Sequence, residues 1–236
     1  MRVDAFPSVS AESIGWLTTE QMIEVDRVMI EDLHIELLQM MENAGRNLAR
    51  VALELFDPTH VTVCAGSGGN GGGGLVAARH LHLAGADVEV VLAAARDRFT
   101  PVPAHQLEII DRIGLDVLEE VPSHTELIID AIIGYSLRGE PRGLAAEVMT
   151  QVMTSSAPVL SLDTPSGLDT TSSTVADLHI AADATVTLAL PKVGLSDQPV
   201  VGELYLADIS VPPSVYDRLG TGPAPDFSSS PILRVR

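Results

Sequence analysis

Two aspartates stand at or near the ends of short apolar runs, and carboxylates placed there could move protons or bind cations. Asp130 lies within the run 127–133, and Asp163 directly follows the run 158–162. A buried carboxylate needs a hydrogen-bond network, a cation or another polar partner. For one such residue alone a structural role is the simpler interpretation. Two of them favour a shared site, because ligands gather at the carboxyl ends of parallel strands.

A glycine-rich segment, residues 66–74, follows the first apolar run and holds seven glycines and Asn70 in nine positions. Such a segment lets backbone amides at a helix N-terminus approach a phosphate without obstruction by side chains. The simpler alternative is a flexible turn. That alternative is disfavoured because so many glycines carry a large entropic cost for a mere connection.

Two other nucleotide-binding motifs are alternatives for this segment. Gly66, Gly68 and Gly71 satisfy the dinucleotide-binding pattern, which is weak alone and requires an acidic residue at the end of the second strand. Here Asp87 and Glu89 stand at the start of that strand instead. A P-loop is excluded because no Gly-Lys-Ser or Gly-Lys-Thr follows the glycines.

Three other reactive residue types are predicted to be structural. Lys192 is the only lysine, and a lysine after a strand is usually at the surface, so it is left out of the catalytic set. Cys64 lies within the first strand and is predicted to be packing. The histidines show no metal-ligand spacing; His80 and His82 are two apart on a predicted helix and face different ways.

Alternating apolar patterns predict the elements that position these residues. Thr18 and Gln21 have the spacing of a capping box, and apolar residues line one face of a helix over 37–55, with a break near His34. Short apolar runs then alternate with helical stretches, which predicts a parallel sheet with right-handed crossovers. Strands are predicted at 60–65, 88–93, 127–133, 158–162, 184–190 and 203–207, with helices at 74–83, 104–113 and 144–153.

This order predicts one α/β domain over residues 1–236, a three-layer sandwich with its organised core at about 18–213. Residues 1–16 are expected to be a loose lead-in. The Gly-, Pro- and Ser-rich tail at 219–236 is expected to fray.

Composition narrows the functional class. The formal charge of −18 repels polyanions, so nucleic acid is a poor partner. No stretch approaches the length of a membrane span. The single cysteine excludes an intramolecular disulfide, and the start of the chain lacks the pattern of a signal peptide. We therefore expect a cytoplasmic protein without a membrane partner.

Six segments in order resemble the NAD(P)H-hydrate epimerase family, also called the YjeF N-terminal domain, which is related to apolipoprotein A-I-binding protein. Each segment is weak alone, but the order is specific, and the resemblance covers about residues 18–213. The segments are Met41–Gly45, the glycine segment 66–74, Asp130–Gly139, Asp163–Asp169, Thr187–Lys192 and Ala207–Pro213.

The resemblance implies a Rossmann-like fold with a mostly parallel sheet and extra N-terminal helices, usually found as a homodimer. It implies an isomerase that interconverts the R and S hydrates of NADH and NADPH, NADHX and NADPHX, so that a dehydratase can repair the S form. A potassium ion would be bound by Asn70, Asp130 and Ser166. Because inversion at the hydrated carbon needs proton transfer, we expect the carboxylate of Asp163 to be the general acid/base. The implied substrate-binding positions are Gly69, Asn70, Gly71, Gly72, Gly73, Gly134, Tyr135, Ser136, Leu137, Arg138, Gly139, Glu140 and Asp163.

The glycine segment departs from the family pattern at three positions. Ser67 replaces a proline, Gly69 an asparagine and Gly73 an aspartate. Because the aspartate lines the family's site, the alternative is a catalytically silent nucleotide-binding or protein-interaction scaffold of the same fold.

Overall fold

The computed structural model describes residues 1–137 and 139–236, where nine strands form one sheet in the order β1-β11-β10-β9-β6-β5-β2-β3-β4. All neighbours in this sheet pair in parallel except β10 and β11. A separate antiparallel pair is formed by β7 and β8. The strands are β1 (Ser8–Val9), β2 (His60–Ala65), β3 (Asp87–Leu92), β4 (Asp116–Leu118), β5 (Leu127–Ala131), β6 (Val159–Leu162), β7 (Leu168–Asp169), β8 (Thr174–Val175), β9 (Ala184–Leu188), β10 (Glu203–Ala207) and β11 (Ile232–Val235).

Helices cover both faces of the sheet, as the alternation of strand and helix predicts. On β5, Leu127 and Ile129 join the core formed with α2, α3 and α4, whereas Ile128 packs with α5 on the opposite face. Because both faces are covered, every residue of β5 is buried, which explains its continuous apolar sequence. The helices are α1 (Thr19–Arg27), α2 (Leu37–Phe56), α3 (Gly69–Leu83), α4 (Pro101–Ile113), α5 (Leu144–Thr154) and α6 (Pro213–Leu219). The predicted three-layer α/β architecture is confirmed.

The N-terminal helices begin and end as their sequence predicts. Thr18 Oγ1 accepts a hydrogen bond from the Gln21 amide (3.2 Å), and the Gln21 side chain accepts one from the Thr18 amide (2.9 Å). A π-helical turn at Val28–Asp32 and a left-handed His34 (φ 55°) separate α1 from α2. The predicted break near His34 is confirmed.

The helix after β2 begins earlier than predicted, at Gly69 rather than Gly74, so most of the glycine segment is helical. These glycines allow close packing. A Cβ built at Gly74 would lie 2.5 Å from the Ala131 Cβ, and one at Gly72 would lie 2.6 Å from the Met41 Sδ. The prediction of a loop over 66–74 is therefore wrong from Gly69 onward, because a helix that lies this close to the sheet cannot carry side chains there.

Both ends of the chain complete the sheet, so the expected loose lead-in and fraying tail are corrected at these segments. β11 lies between β1 and β10, and Ile232 and Leu233 are buried. At the other end Phe6 is buried, and Tyr205 Oη donates to the Val3 carbonyl (3.0 Å). Short strands without clear alternation give little sequence signal, and the same holds for β4. No helix in the described ranges is long and apolar enough to cross a membrane.

Candidate functional site

A cleft of about 430 Å³ lies at the carboxyl ends of β2, β5, β6 and β9, a size typical of small-molecule sites. The sheet contributes the residues that follow these strands, and α1 and α2 contribute apolar side chains from the facing wall. The facing wall includes Met22, Leu37, Met40, Met41 and Ala44. The predicted gathering of Asp163 and the glycine segment at one sheet edge is therefore observed.

One end of the cleft is formed by the N-terminus of α3. Gly68 is the N-cap residue with extended backbone, and the amides of the first helical turn have no partner within the helix. Cβ atoms built at Gly68 or Gly69 would meet no atom of the described chain within 4 Å, so the approach to these amides is open. Amides and the helix dipole together favour an anion such as a phosphate at this end.

Asp163 lines the cleft in a left-handed backbone conformation. It follows β6 directly, has a left-handed φ of 65° and is 4% exposed. Its Oδ1 accepts hydrogen bonds from the Leu188 amide (3.3 Å), Thr187 Oγ1 (3.4 Å) and Lys192 Nζ. Its Oδ2 has no partner among the described residues. Non-glycine residues with positive φ are retained where the surrounding structure requires them, often at functional sites.

Lys192 is fully buried and forms an ion pair with Asp163, so the prediction of a surface lysine is wrong. Its Nζ also donates to the Leu188 carbonyl (2.9 Å). A left-handed turn at Ala189 (φ 63°) brings the chain back after β9, and Leu17 pairs with Lys192 in an isolated parallel bridge. Neither charge could be buried alone without a large cost, so each residue requires the other.

Sequence reasoning missed Lys192 because only tertiary contacts bury it. The sequence feature that could have indicated its burial is its position directly after the apolar segment 184–191, the last part of which is also buried.

A second polar pair in the cleft joins α1 to the loop after β5. Tyr135 Oη donates a hydrogen bond to Asp26 Oδ2 (2.8 Å), and both residues line the cleft. Burial is the main cause that raises the pKa of Asp26, and Asp163 adds to it; the Tyr135 hydrogen bond and Lys192 act in the opposite direction. Burial, followed by the charge of Asp26, raises the pKa of the Tyr135 hydroxyl.

Asp26 is not among the site residues that the sequence predicts. Its signal was a carboxylate on a buried helical face, four residues after Met22 and three before Met29.

Asp130 and Ser166, two of the three expected cation ligands, are in direct contact. Asp130 Oδ1 accepts from Ser166 Oγ (2.6 Å) and more weakly from the Ile132 amide (3.3 Å), while Oδ2 accepts from Ser161 Oγ (2.8 Å) and the Ser166 amide (2.9 Å). Burial raises the pKa of Asp130, although these hydrogen bonds lower it. The carboxylate thus ties together the ends of β5 and β6.

Asn70, the third expected ligand, lies beside the loop after β5. A Cβ built at Gly134 would lie 3.3 Å from Asn70 Cγ, and the amide of Ile133 donates to Ser166 Oγ (2.9 Å), so the same loop contacts both. Asn70 Nδ2 is buried and has no hydrogen-bond partner among the described residues. In residues 1–137 and 139–236, no group of three or more His, Cys, Asp or Glu side chains is placed to hold a metal ion.

The expected substrate-binding positions fall into three groups. Gly69, Asn70, Gly73, Asp163 and three residues of the loop after β5 line the cleft; the three are Gly134, Tyr135 and Ser136. The structure does not place Gly71, Gly72, Leu137, Gly139 or Glu140 on the cleft wall. Gly71 instead packs against the Gly66 backbone. Arg138 lies outside the described residues.

Known proteins are similar to this chain in both sequence and fold. The family described as YjeF-related protein N-terminus matches residues 37–194. The chain belongs to this family. A protein of Dehalogenimonas lykanthroporepellens named NAD(P)H-hydrate epimerase is 39% identical over 91% of this chain and 90% of its own length.

Two further matches extend this comparison. A bifunctional NAD(P)H-hydrate repair enzyme Nnr of Hyperthermus butylicus is 37% identical over 89% of this chain, which spans only 41% of that protein. The crystal structure of yeast ynu0 (YNL200c) superposes with a TM-score of 0.78 at 25% identity, covering 93% of this chain and 99% of that one. The fold of this chain, including the elements around the cleft, is therefore shared with a solved structure over nearly its whole length.

Proposed function

We propose that this protein is an NAD(P)H-hydrate epimerase, a metabolite-repair isomerase that interconverts the R and S hydrates of NADH and NADPH. The observation that carries the proposal is the cleft itself, which joins an anion-binding helix N-terminus to a buried carboxylate–ammonium pair. Relatives that match this chain over most of their length are named NAD(P)H-hydrate epimerase.

The two ends of the cleft match the two parts of the substrate that must be held, the pyrophosphate and the hydrated ring. The pyrophosphate binds at the amides that begin α3, which supply local positive potential within a protein of charge −18. Arg138, which lies outside the described residues, is a further candidate for binding the pyrophosphate. The hydrated ring then lies among the methionines of α1 and α2, with its hydrated carbon at Asp163.

The reaction at that carbon requires proton transfer and no change of oxidation state. The hydrated carbon bears a hydroxyl and is bonded to the ring nitrogen. When the hydroxyl loses its proton, the carbon–nitrogen bond breaks, the nitrogen gains a proton and an aldehyde forms. Rotation of the aldehyde and return of the nitrogen to its other face, with the proton restored to oxygen, give the opposite epimer.

Asp163 carries the proton between the oxygen and the nitrogen in both directions. Its Oδ1 is held by three donors, and Oδ2 is left for the substrate. Lys192 balances the charge of the carboxylate and fixes its orientation, so that the reactive oxygen faces the cleft. The surrounding apolar side chains exclude water while the ring is open.

We also propose that a potassium ion is bound by Asn70, Asp130 and Ser166. These residues supply oxygen ligands, which suit a hard cation. The unpartnered Asn70 amide supports the fit, because a half-turn of its side chain places a free carbonyl oxygen where Nδ2 now lies. When bound, the ion would supply positive charge beside the anion-binding end of the cleft.

A melting experiment tests the ion. Potassium should raise the melting temperature more than sodium at equal ionic strength, and Asn70→Ala or Asp130→Ala should abolish the difference. Equal melting temperatures in the two salts would remove potassium from the proposal.

We infer in addition that the protein is a cytoplasmic homodimer. The resemblance supports the dimer, and the charge and single buried cysteine support the location. Light scattering coupled to size-exclusion chromatography measures the oligomeric state.

The direct test of the function supplies the R hydrate of NADH together with a dehydratase that accepts only the S hydrate. Recovery of NADH should then depend on this protein, and removal of the protein should leave the R hydrate untouched. If the folded protein does not speed recovery with either the NADH or the NADPH hydrate, the protein is not an epimerase. The silent scaffold of the same fold would then be the better description.

A further inference from the structure

The helix α1 lies outside the matched family region at residues 37–194, yet the structure connects it to the cleft at three points. Asp26 accepts the hydrogen bond of Tyr135, and Met22 lines the cleft. Leu17, just before the helix, accepts from the Val193 amide (2.9 Å) and donates to the Pro191 carbonyl (2.8 Å), on both sides of Lys192. The helix is thus attached to two segments that carry site residues.

Tyr135 is the centre of these contacts. Its ring centroid lies 5.9 Å from Lys192 Nζ, a distance at which an aromatic face attracts a cation. Its carbonyl accepts from Thr170 Oγ1 (3.1 Å), and Thr170 in turn lies 3.1 Å from Thr19 Oγ1 on α1. The tyrosine is therefore held to α1 by both its side chain and its backbone.

We propose that Asp26 is a positioning residue for the epimerase reaction: by accepting the Tyr135 hydroxyl it holds the tyrosine ring over Lys192 and so orients the Asp163–Lys192 pair. This inference rests on the proposed function for its kinetic part and on geometry alone for its structural part. Burial keeps the tyrosine hydroxyl protonated, as the raised pKa of Tyr135 requires, so the hydroxyl remains the donor. Asp26 acts through its acceptor oxygen rather than through its charge.

Substitutions at Asp26 separate these two properties. Asn keeps an oxygen that accepts from Tyr135 but removes the charge, whereas Ala removes both. Asp26→Ala should lower kcat about tenfold with little change in KM, and Asp26→Asn should stay within about threefold of the original enzyme. Glu20→Ala, which removes an exposed carboxylate from the same helix, is the matched control and should change neither parameter.

A double variant tests whether Asp26 acts through Tyr135. Tyr135→Phe should also cost about tenfold, and the combination with Asp26→Ala should cost about tenfold rather than about a hundredfold, because both changes remove one interaction. Multiplicative losses in the double variant would show that the two residues act separately and would overturn the proposal.

The only lysine of the chain provides a test that does not depend on activity. Protein labelled with carbon-13 lysine gives one set of side-chain signals, and the tyrosine ring current shifts the Lys192 protons upfield. Asp26→Ala should move these signals toward the values of a free lysine, while Asp26→Asn should leave them in place. Unmoved signals in Asp26→Ala would refute the positioning role even if the protein is an active epimerase. If the protein is inactive, moved signals still support the positioning of Lys192.

Discussion

At the scale of single residues, the proposed chemistry depends on Asp163, a carboxylate whose two oxygens differ in their hydrogen bonds. Asp163 Oδ1 accepts from Lys192, Thr187 and Leu188, and Oδ2 is free among the described residues. The left-handed backbone of Asp163 aims the side chain back toward the end of β9. A residue in this conformation costs free energy, which the hydrogen bonds around Asp163 offset.

Asp163→Asn should therefore abolish most of the turnover while preserving the fold. The amide keeps the shape and removes the proton carrier, so the expected loss of kcat is about a hundredfold or more. Asp177→Asn, at an exposed carboxylate, is the control and should be unaffected. Near-normal epimerisation by Asp163→Asn, measured with the coupled dehydratase, would rule out Asp163 as the proton carrier.

Gly73 is the position where the enzyme and scaffold alternatives differ most. Its backbone is helical without a positive φ, so an aspartate can be accommodated. A Cβ there would lie 2.7 Å from Leu162 Cδ2, so Leu162 must shift, and Gly73→Asp should cost about 1–3 kcal/mol of stability.

In an active epimerase, Gly73→Asp should raise activity or affinity for the hydrate, because it restores the family's carboxylate on the cleft wall. In a scaffold it should rescue nothing. If the original protein and this variant both fold and neither epimerises the hydrate, the scaffold alternative is favoured.

Asp26 should also make stability depend on pH. Its folded-state pKa is raised above the ordinary value of 3.8, so the folded state holds the proton more tightly than the unfolded chain. Stability is then fully present below about pH 3.8 and falls as the pH rises through the folded pKa.

Asp26→Asn removes the loss of stability that accompanies ionisation of Asp26 as the pH rises. Its free energy of unfolding should exceed that of the original protein at neutral pH, and the advantage should shrink on acidification. Denaturant titrations at several pH values measure this difference. A constant difference across the pH range would contradict the assignment of the shift to Asp26.

At the scale of elements, α3 combines close packing with a place at one end of the cleft. Its glycine-rich first turns pack against α2 and the sheet, and its N-terminus forms the end of the cleft at which we propose that the pyrophosphate binds. The same glycines that suggest a phosphate loop thus also determine how closely the helix approaches the sheet.

A pair of alanine substitutions separates these two roles. Gly74→Ala places a Cβ 2.5 Å from Ala131 Cβ, so it should lower the free energy of unfolding by about 1–3 kcal/mol despite the higher helix propensity of alanine. Gly69→Ala meets no atom of the described chain and should be neutral or slightly stabilising. Thermal unfolding of the two variants measures both effects. Equal effects at the two positions would show that helix propensity rather than packing determines the change in stability.

At the scale of the whole molecule, the two chain ends extend the sheet on the side of β9 and β10. β11 pairs antiparallel with β10, which in turn pairs with β9, the strand that leads to Lys192. The C-terminal segment is therefore part of the structure that positions the site.

Ile232→Ala should lower the free energy of unfolding by about 2–5 kcal/mol, since Ile232 is fully buried in the main core. Ser229→Ala, at an exposed position nearby, should have almost no effect. A fraying tail would instead make both substitutions neutral, so the two expectations are distinguished by one pair of denaturation curves.

The amino-acid sequence by itself determined the central strands β2, β3, β5, β6, β9 and β10 and their alternation with α3, α4 and α5, because apolar patterns record which faces of each element are buried. It also determined that Asp130 and Asp163 stand at the ends of parallel strands, which gather at one edge of a sheet. Only the tertiary structure decided that Lys192 is buried against Asp163 and that Asp26 reaches Tyr135. It likewise decided that Gly72 and Gly74 are packing positions and that β11 and β1 extend the sheet beyond β10. These features depend on contacts between segments far apart in the chain, and no local pattern of residues encodes such contacts.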